Sequence, residues 1–151
     1  QQGLMATDDF DWTWGQHAVM VLPNDEVFVF DNGFKRNFLN ATTTHSRAVA
    51  FKINEDNKTV QQVWQYGKER GYEVYAPVIS DVDYLENSNR IMAPGMIFLL
   101  GDFQSKVIEV TYPNKEVVFE MTLHYKNEFS SAGFGWGDFD LSYRCERIKM
   151  N

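Results

Sequence analysis

The sequence has one cysteine, no run of basic residues, no long apolar stretch and almost no helix signal. Cys145 has no second cysteine with which to form an internal disulfide. No apolar stretch approaches the length that a membrane-spanning helix needs. The formal net charge is -7, and Lys and Arg nowhere cluster on one face. We therefore expect neither a nucleic-acid partner nor a membrane span.

Apolar residues instead alternate with polar ones in short runs. Polar turns at 23–25, 54–57 and 113–114 separate these runs, as is typical of hairpin connections. A hydrophobic content of 44% is sufficient for a core. The sequence therefore predicts an all-β fold in a single domain, 1–151. The predicted strands are 17–22, 26–31, 46–54, 58–66, 78–85, 89–93, 96–101, 105–112, 116–124 and 141–149.

Two stretches of the chain match each other at long range. Residues 18–33 align with residues 81–95, and each stretch is followed by a second pair of alternating runs. The unit therefore has four strands and recurs after about sixty residues. Four-stranded antiparallel units of this kind are typical of β-propeller blades. We predict one blade over 17–66, a second over 78–124 and a further inner strand over 141–149.

The repeat also indicates a candidate site. The residue that opens the innermost strand of each blade faces the central channel of a propeller. His17 opens the first predicted inner strand, Ser80 lies 63 residues later, and Arg144 lies 64 residues beyond Ser80. Two blades and one strand cannot close a ring. The chain is therefore expected to be the C-terminal part of a longer propeller, with a ring of several copies as the alternative.

Five sequence blocks point to a known family. They are FDWTWGQH at 10–17, VFDNG at 29–33, SRAVAFKI at 46–53, VWQYGKERG at 63–71 and YRCERI at 143–148. Together they resemble the C-terminal part of bacterial arylsulfate sulfotransferases, over nearly the whole chain. The resemblance implies a six-bladed propeller in a periplasmic or secreted enzyme. It also implies sulfuryl transfer from one phenol to another without a nucleotide sulfate donor, so no cofactor is expected.

The resemblance assigns roles to particular residues. By its place in the Trp-x-Gln-His block, His17 would attack sulfur and carry a transient sulfohistidine, a role that suits a neutral imidazole. The negative charge that develops on the sulfuryl oxygens and the leaving phenolate needs cations nearby. Arg144 and Arg47 are the candidates for that role. Ser80 is a candidate for contact with the sulfuryl group, although Ile79 stands before it where the family tends to have threonine.

Each of these assignments has an alternative. Arg144 could brace a neighbouring blade through a buried carboxylate, and Arg47 could satisfy loop carbonyls. Trp14, with Trp12, is a candidate for contact with a substrate ring, and one of the two could belong to the core. The other histidines lack the short spacing from His17 that a zinc site would show, so no metal is predicted.

Two other classes of function remain open. A binding propeller would hold an aromatic or sulfated ligand with Trp12, Trp14 and Arg144 and would tolerate the loss of His17. A structural module would use the repeats only for assembly, for example as three copies in one ring. For the enzyme, the expected partners are an aryl sulfate donor, a phenolic acceptor and the remaining blades or further copies. The segment alone is then expected to be inactive.

Overall fold

The computed structural model describes residues 5–6, 10–38, 45–125 and 141–148. Within them the fold is all-β, as the alternation of apolar and polar residues predicts. Only short 3-10 helices accompany the strands, and no helix in these ranges is long and apolar enough to cross a membrane. The strands are β1 (Met5–Ala6), β2 (Gln16–Val21), β3 (Glu26–Asp31), β4 (Arg47–Asn54), β5 (Thr59–Tyr66), β6 (Asp81–Tyr84), β7 (Arg90–Ala93), β8 (Ile97–Leu99), β9 (Asp102–Val110) and β10 (Val117–His124). The helices are Arg36–Phe38 and Lys68–Val74.

The first sheet has the strand order β1-β5-β4-β3-β2. Strands β2 to β5 form an antiparallel meander, and β1 adds to β5 in parallel. The meander follows the first predicted four-stranded unit closely, because the polar turns of the sequence fall between its strands. The strand bounds of that unit agree with the prediction to within one residue.

The second sheet follows the path β10-β9-β7-β6, and β8 pairs with β9 at its side. All of its strand pairs are antiparallel. β6 begins at Asp81 and not at the predicted residue 78. The reason is local, since Ile79 and Ser80 have φ values of 48° and 121°, which a strand does not adopt.

The two sheets share one hydrophobic core. Phe28 and Phe30 alternate with Val29 along β3, so the two aromatic rings face the second sheet. Met92 and Ile108 of the second sheet are fully buried in the same cluster. Burial of side chains of this size contributes about 1.5–3 kcal/mol each. This packing brings β2 and β3 into contact with β6. The strands that open the two four-stranded antiparallel paths, β2 and β6, are therefore neighbours.

Residues 141–148 are not a strand, in contrast to the prediction of a strand over 141–149. The segment lies against the second sheet and is held by isolated hydrogen bonds. The amide of Ser142 donates to the carbonyl of Gly95 at 3.1 Å, and the amide of Cys145 donates to the Asp81 carboxylate at 3.0 Å. Apolar alternation predicted a strand here because it reports which residues face a sheet and not whether a hydrogen-bonded ladder forms.

Four charged side chains tie the helix Lys68–Val74 to β9 and β10. Arg70 and Lys106 each contact both Glu73 and Glu120, with the Lys106 Nζ to Glu120 Oε1 distance at 2.7 Å. The hydrogen bond from Arg70 is the main cause that lowers the pKa of Glu120 to about 2. Glu120 is therefore ionised at neutral pH, and the cluster joins the connection between the sheets to the edge of the second sheet.

Candidate active site

His17 is the second residue of β2, and its side chain is half-buried. A β-bulge follows it, since the register between β2 and β3 shifts between His17 and Met20 and Ala18 has a φ of 52°. A bulge re-aims the side chains beside it. The direction of the His17 ring is therefore not set by strand alternation alone. Its Nδ1 atom lies 2.6 Å from Oδ1 of Asn32.

Asn32 is fully buried and follows directly after β3. Its side-chain Nδ2 donates to the carbonyl oxygens of Ala76 and Ile79, both at 2.7 Å. Those carbonyls belong to the segment that leads into β6. One amide side chain therefore connects the candidate nucleophile on the first sheet to the entrance of the second sheet.

Asp31, the last residue of β3, is the centre of a buried ionic cluster. Its Oδ1 accepts hydrogen bonds from the amides of Trp14 at 2.8 Å and Gly33 at 3.1 Å. Its Oδ2 accepts from the guanidinium groups of Arg36 at 2.6 Å and Arg47 at 2.9 Å. Through these four hydrogen bonds, Asp31 anchors the segment before His17 onto the end of β3.

Arg47, predicted as a substrate-binding candidate, is fully buried at the start of β4. Besides Asp31, its guanidinium donates to the side-chain carbonyls of Gln62 at 2.9 Å and Gln65 at 2.8 Å. It also donates to the carbonyl of Asp11 at 2.6 Å. A guanidinium that is buried and bonded in this way braces the interior. The geometry therefore favours the structural alternative for Arg47, and its contact with substrate stays a prediction.

Gly33 allows the chain to turn between Asn32 and the helix Arg36–Phe38. Its φ is 69°, in the left-handed region that favours glycine. A Cβ atom at this position would lie 1.9 Å from the carbonyl oxygen of His45. The close approach of these two backbone segments places the His45 ring beside the buried ionic cluster.

The pKa of His45 is lowered to about 4. Burial is the largest cause, and the positive charges of Arg36, Arg47 and Lys68 add to it, while Asp31 acts in the opposite direction. His45 Nε2 lies 4.0 Å from an Asp11 carboxylate oxygen. At neutral pH this contact is not an ion pair, because the imidazole is uncharged.

We expect this histidine to make the free energy of unfolding fall as the pH drops from about 6.5 to about 4. In that range the unfolded chain takes up a proton at His45 and the folded chain does not, so stability rises with pH. The loss should approach about 2–3 kcal/mol near the lower end of the range. Chemical denaturation at several pH values measures it.

His45→Gln should flatten this pH dependence. His124→Gln is the matched control, since His124 is exposed at the end of β10. An unchanged pH dependence in His45→Gln would contradict the role of His45.

Ser80 and Arg144 lie near the entrance of β6. Ser80 is buried, and its hydroxyl accepts a hydrogen bond from the Gly95 amide at 3.0 Å. Arg144 is exposed, in a depression that Met20 of β2 and Asp81 of β6 also line. Burial raises the pKa of Asp81, and the charge of Arg144 acts against that rise. The structure thus places Arg144 between the first strands of the two sheets, beside a buried carboxylate.

Trp14 lies three residues before His17 in the segment that Asp31 anchors. The indole is half-buried and makes an edge contact with Phe38, with ring centroids 5.1 Å apart. Trp12, by contrast, is exposed and makes an edge contact with Phe10 at 4.6 Å. Within the described ranges, no group of three or more His, Cys, Asp and Glu side chains could hold a metal ion.

The sequence patterns alone assign no role to Asn32, Asp31 or Arg36. A signal for the first two was present, because Asp31 and Asn32 are two polar residues at the end of an apolar run and directly before a glycine. Their hydrogen-bond partners lie from 2 to 47 residues away in the chain, so the sequence signal indicates a polar cluster but not which residues form it.

Fold and site together define an all-β protein that presents a histidine ring, held at one nitrogen by a buried amide, beside the junction of two sheets. The chain belongs to the arylsulfotransferase (ASST) family, whose family model matches residues 2–134. This match confirms the resemblance that the sequence blocks indicated.

Two curated relatives agree with the family assignment. Arylsulfate sulfotransferase AssT of Escherichia coli O6:H1 strain CFT073 is 38% identical in an alignment of 128 residues that covers 80% of this chain and 21% of that protein. Arylsulfate sulfotransferase AssT of Lelliottia amnigena is 36% identical over the same length and the same shares. The chain thus spans about a fifth of the length of these relatives.

Proposed function

We propose that this chain contributes the nucleophile of an enzyme that transfers a sulfuryl group from an aryl sulfate to a phenol. The observation that carries the proposal is the His17 ring, which is half-buried and held at Nδ1 by Asn32, 2.6 Å away, within the region that matches the family. The names of the two relatives support the class of reaction and of substrate.

The reaction proceeds in two displacements at sulfur. In the first, an imidazole nitrogen of His17 forms a bond to sulfur, and the bond from sulfur to the aryl oxygen breaks, with its electron pair leaving on the phenolate. In the second, the oxygen of the acceptor phenol attacks sulfur, and the nitrogen–sulfur bond breaks with its pair returning to His17. The leaving phenolate takes a proton from solvent in the first step, and the acceptor phenol releases one to solvent in the second. The overall exchange therefore balances without a cofactor.

The negative charge that develops on the departing phenolate requires a cation close to it. Arg144 is the exposed guanidinium in the depression between β2 and β6 and is the candidate to contact the sulfuryl oxygens or the leaving oxygen. Trp14 is the candidate to contact an aryl ring, because it lies in the anchored segment just before His17. Ser80 is a weaker candidate, since its buried hydroxyl already accepts the Gly95 amide.

We also propose that the two sheets are blades of a β-propeller in a periplasmic or secreted protein. Two features support the propeller. Each sheet contains a four-stranded antiparallel path, and the first strands, β2 and β6, are neighbours. Apolar side chains such as Phe119 and Met121 also remain exposed on β10, where a further sheet would cover them. The proposed periplasmic or secreted location of the protein rests on the family resemblance alone.

Transfer from a chromogenic aryl sulfate to phenol tests the proposal, with the complete protein that carries this chain. We expect colour release that depends on the phenol, an equal amount of sulfated acceptor, and parallel double-reciprocal plots, which indicate a covalent intermediate. Colour release that is independent of the acceptor would instead indicate hydrolysis. Tight binding of the aryl sulfate without any turnover would indicate a binding protein.

A further inference from the structure

The orientation of the Asn32 side-chain amide is fixed by its surroundings. Its nitrogen has two hydrogens, and two carbonyl oxygens, those of Ala76 and Ile79, lie 2.7 Å from it. The reversed orientation would place the amide oxygen 2.7 Å from both carbonyl oxygens, where three acceptors would face one another without a hydrogen from Asn32 between them. Oδ1 of Asn32 must therefore be the atom that faces His17.

This orientation determines which nitrogen of His17 carries the proton. Oδ1 has no hydrogen to donate, so the contact at 2.6 Å is a hydrogen bond only if Nδ1 of His17 is the donor. A neutral imidazole has a single N–H group. With the proton on Nδ1, the lone pair is on Nε2.

We propose that Asn32 is a positioning residue that holds His17 in the Nδ1–H tautomer and so makes Nε2 the atom that attacks sulfur. The role in transfer rests on the proposed function, whereas the tautomer rests only on the geometry. As Nε2 bonds to sulfur and the aryl oxygen leaves with its electron pair, the ring becomes positively charged and keeps its Nδ1 proton. The hydrogen bond to Asn32 is then charge-assisted and stronger than in the resting state.

A neutral amide suits this position better than a carboxylate would. A carboxylate beside Nδ1 would favour the doubly protonated ring, which has no lone pair for attack. The amide oxygen accepts the same hydrogen bond without adding a negative charge. It thereby orients the ring and leaves Nε2 available.

The backbone of Asn32 is held as firmly as its side chain. The hydroxyl of Ser46 donates to the Asn32 carbonyl at 2.8 Å and accepts from the Ala76 amide at 2.9 Å. The Asn32 amide donates to the Gly15 carbonyl at 3.3 Å. Ser46 therefore supports the same segments, and its hydroxyl bonds to backbone atoms of Asn32 and Ala76, whereas the Asn32 side chain bonds to the His17 ring. Removing the Ser46 hydroxyl thus tests structural support separately from control of the tautomer.

Nitrogen NMR of the complete protein with isotope-labelled histidine tests the proposal, at a pH where the ring is neutral. The signals of His17 are identified as those that disappear in His17→Gln. We expect the wild type to show the Nδ1–H form and Asn32→Ala to show a mixture of the two tautomers. Ser46→Ala, the matched control, should keep the Nδ1–H form even if the protein is less stable.

Kinetics complete the test. Asn32→Ala should lower kcat about tenfold or more with a smaller change in KM, because the interaction strengthens in the transition state. An Nε2–H ring in an active wild-type enzyme would overturn the role of Asn32 and leave the proposed function in place. An Nδ1–H ring in a protein that transfers no sulfuryl group would overturn the proposed function and leave the assignment of the tautomer intact.

Discussion

His17→Ala should abolish sulfuryl transfer from an aryl sulfate to phenol. Alanine has no atom that can form the bond to sulfur, so the two-step route is lost and not merely slowed. We expect kcat to fall by at least about a thousandfold, as is usual when a nucleophile is removed. The unfolding midpoint should change little by comparison, because the His17 ring is only half-buried.

The control for this prediction is His124→Ala. His124 is exposed at the end of β10 in the second sheet, where it pairs with Gln104 of β9. Its replacement should leave the rate within about a factor of two. If His17→Ala retained the wild-type rate, the attack on sulfur would have to come from another residue.

Asp31→Asn should cause a large loss of stability. Asp31 is fully buried and accepts hydrogen bonds from the guanidinium groups of both Arg36 and Arg47. The substitution keeps the shape and removes the charge, which leaves two buried cations whose other carboxylate contact, Asp11, is partly exposed to solvent. Breaking a buried ionic cluster in this way costs about 3–5 kcal/mol. Chemical denaturation at neutral pH measures the difference.

Asp11→Asn provides the comparison. Asp11 also contacts Arg36, at 2.8 Å, but its side chain is 26% exposed, so water replaces part of the lost interaction. We expect a smaller loss than for Asp31→Asn. Equal losses in the two variants, or none in Asp31→Asn, would show that Asp31 is not the centre of the cluster.

The strands were the most predictable part of the molecule. Along β3, apolar residues lie on both faces, and polar residues come before and after the run. The sequence pattern therefore predicted the strand Glu26–Asp31 correctly. The start of β6 could not be predicted from the sequence, because Ile79 and Ser80 adopt positive φ values that their residue types do not favour. Tertiary contacts, such as the bond from Asn32 to the Ile79 carbonyl, stabilise that turn.

The candidate site was predictable only in part. The repeat and the family resemblance selected His17, and in the structure Asn32 connects its ring to the segment that leads into β6. The equivalence of His17 and Ser80 stays a prediction. The surroundings of the ring were not predictable. They depend on Asn32 and on the pairing of Arg47 with Asp31, 16 residues apart, which arises only when β3 and β4 align.

The two predictions for 78–85 and 141–149 differ from the structure for a common reason. Both segments alternate apolar and polar residues, yet each has hydrogen-bonding groups that are engaged outside a ladder. Ser80 accepts from Gly95, and Ser142 donates to the carbonyl of the same glycine. A Cβ atom at Gly95 would lie 1.9 Å from the Ser142 carbonyl oxygen, so glycine permits the two contacts.

The central claim is that His17 carries the sulfuryl group, and trapping that intermediate tests it most directly. The complete protein would be mixed with an aryl sulfate in the absence of phenol, quenched in alkali, digested and analysed by peptide mass spectrometry. We predict a sulfuryl group on the peptide that contains His17, and its disappearance when phenol is added before the quench. A sulfuryl group on a different residue, or turnover without any modified peptide, would contradict the account.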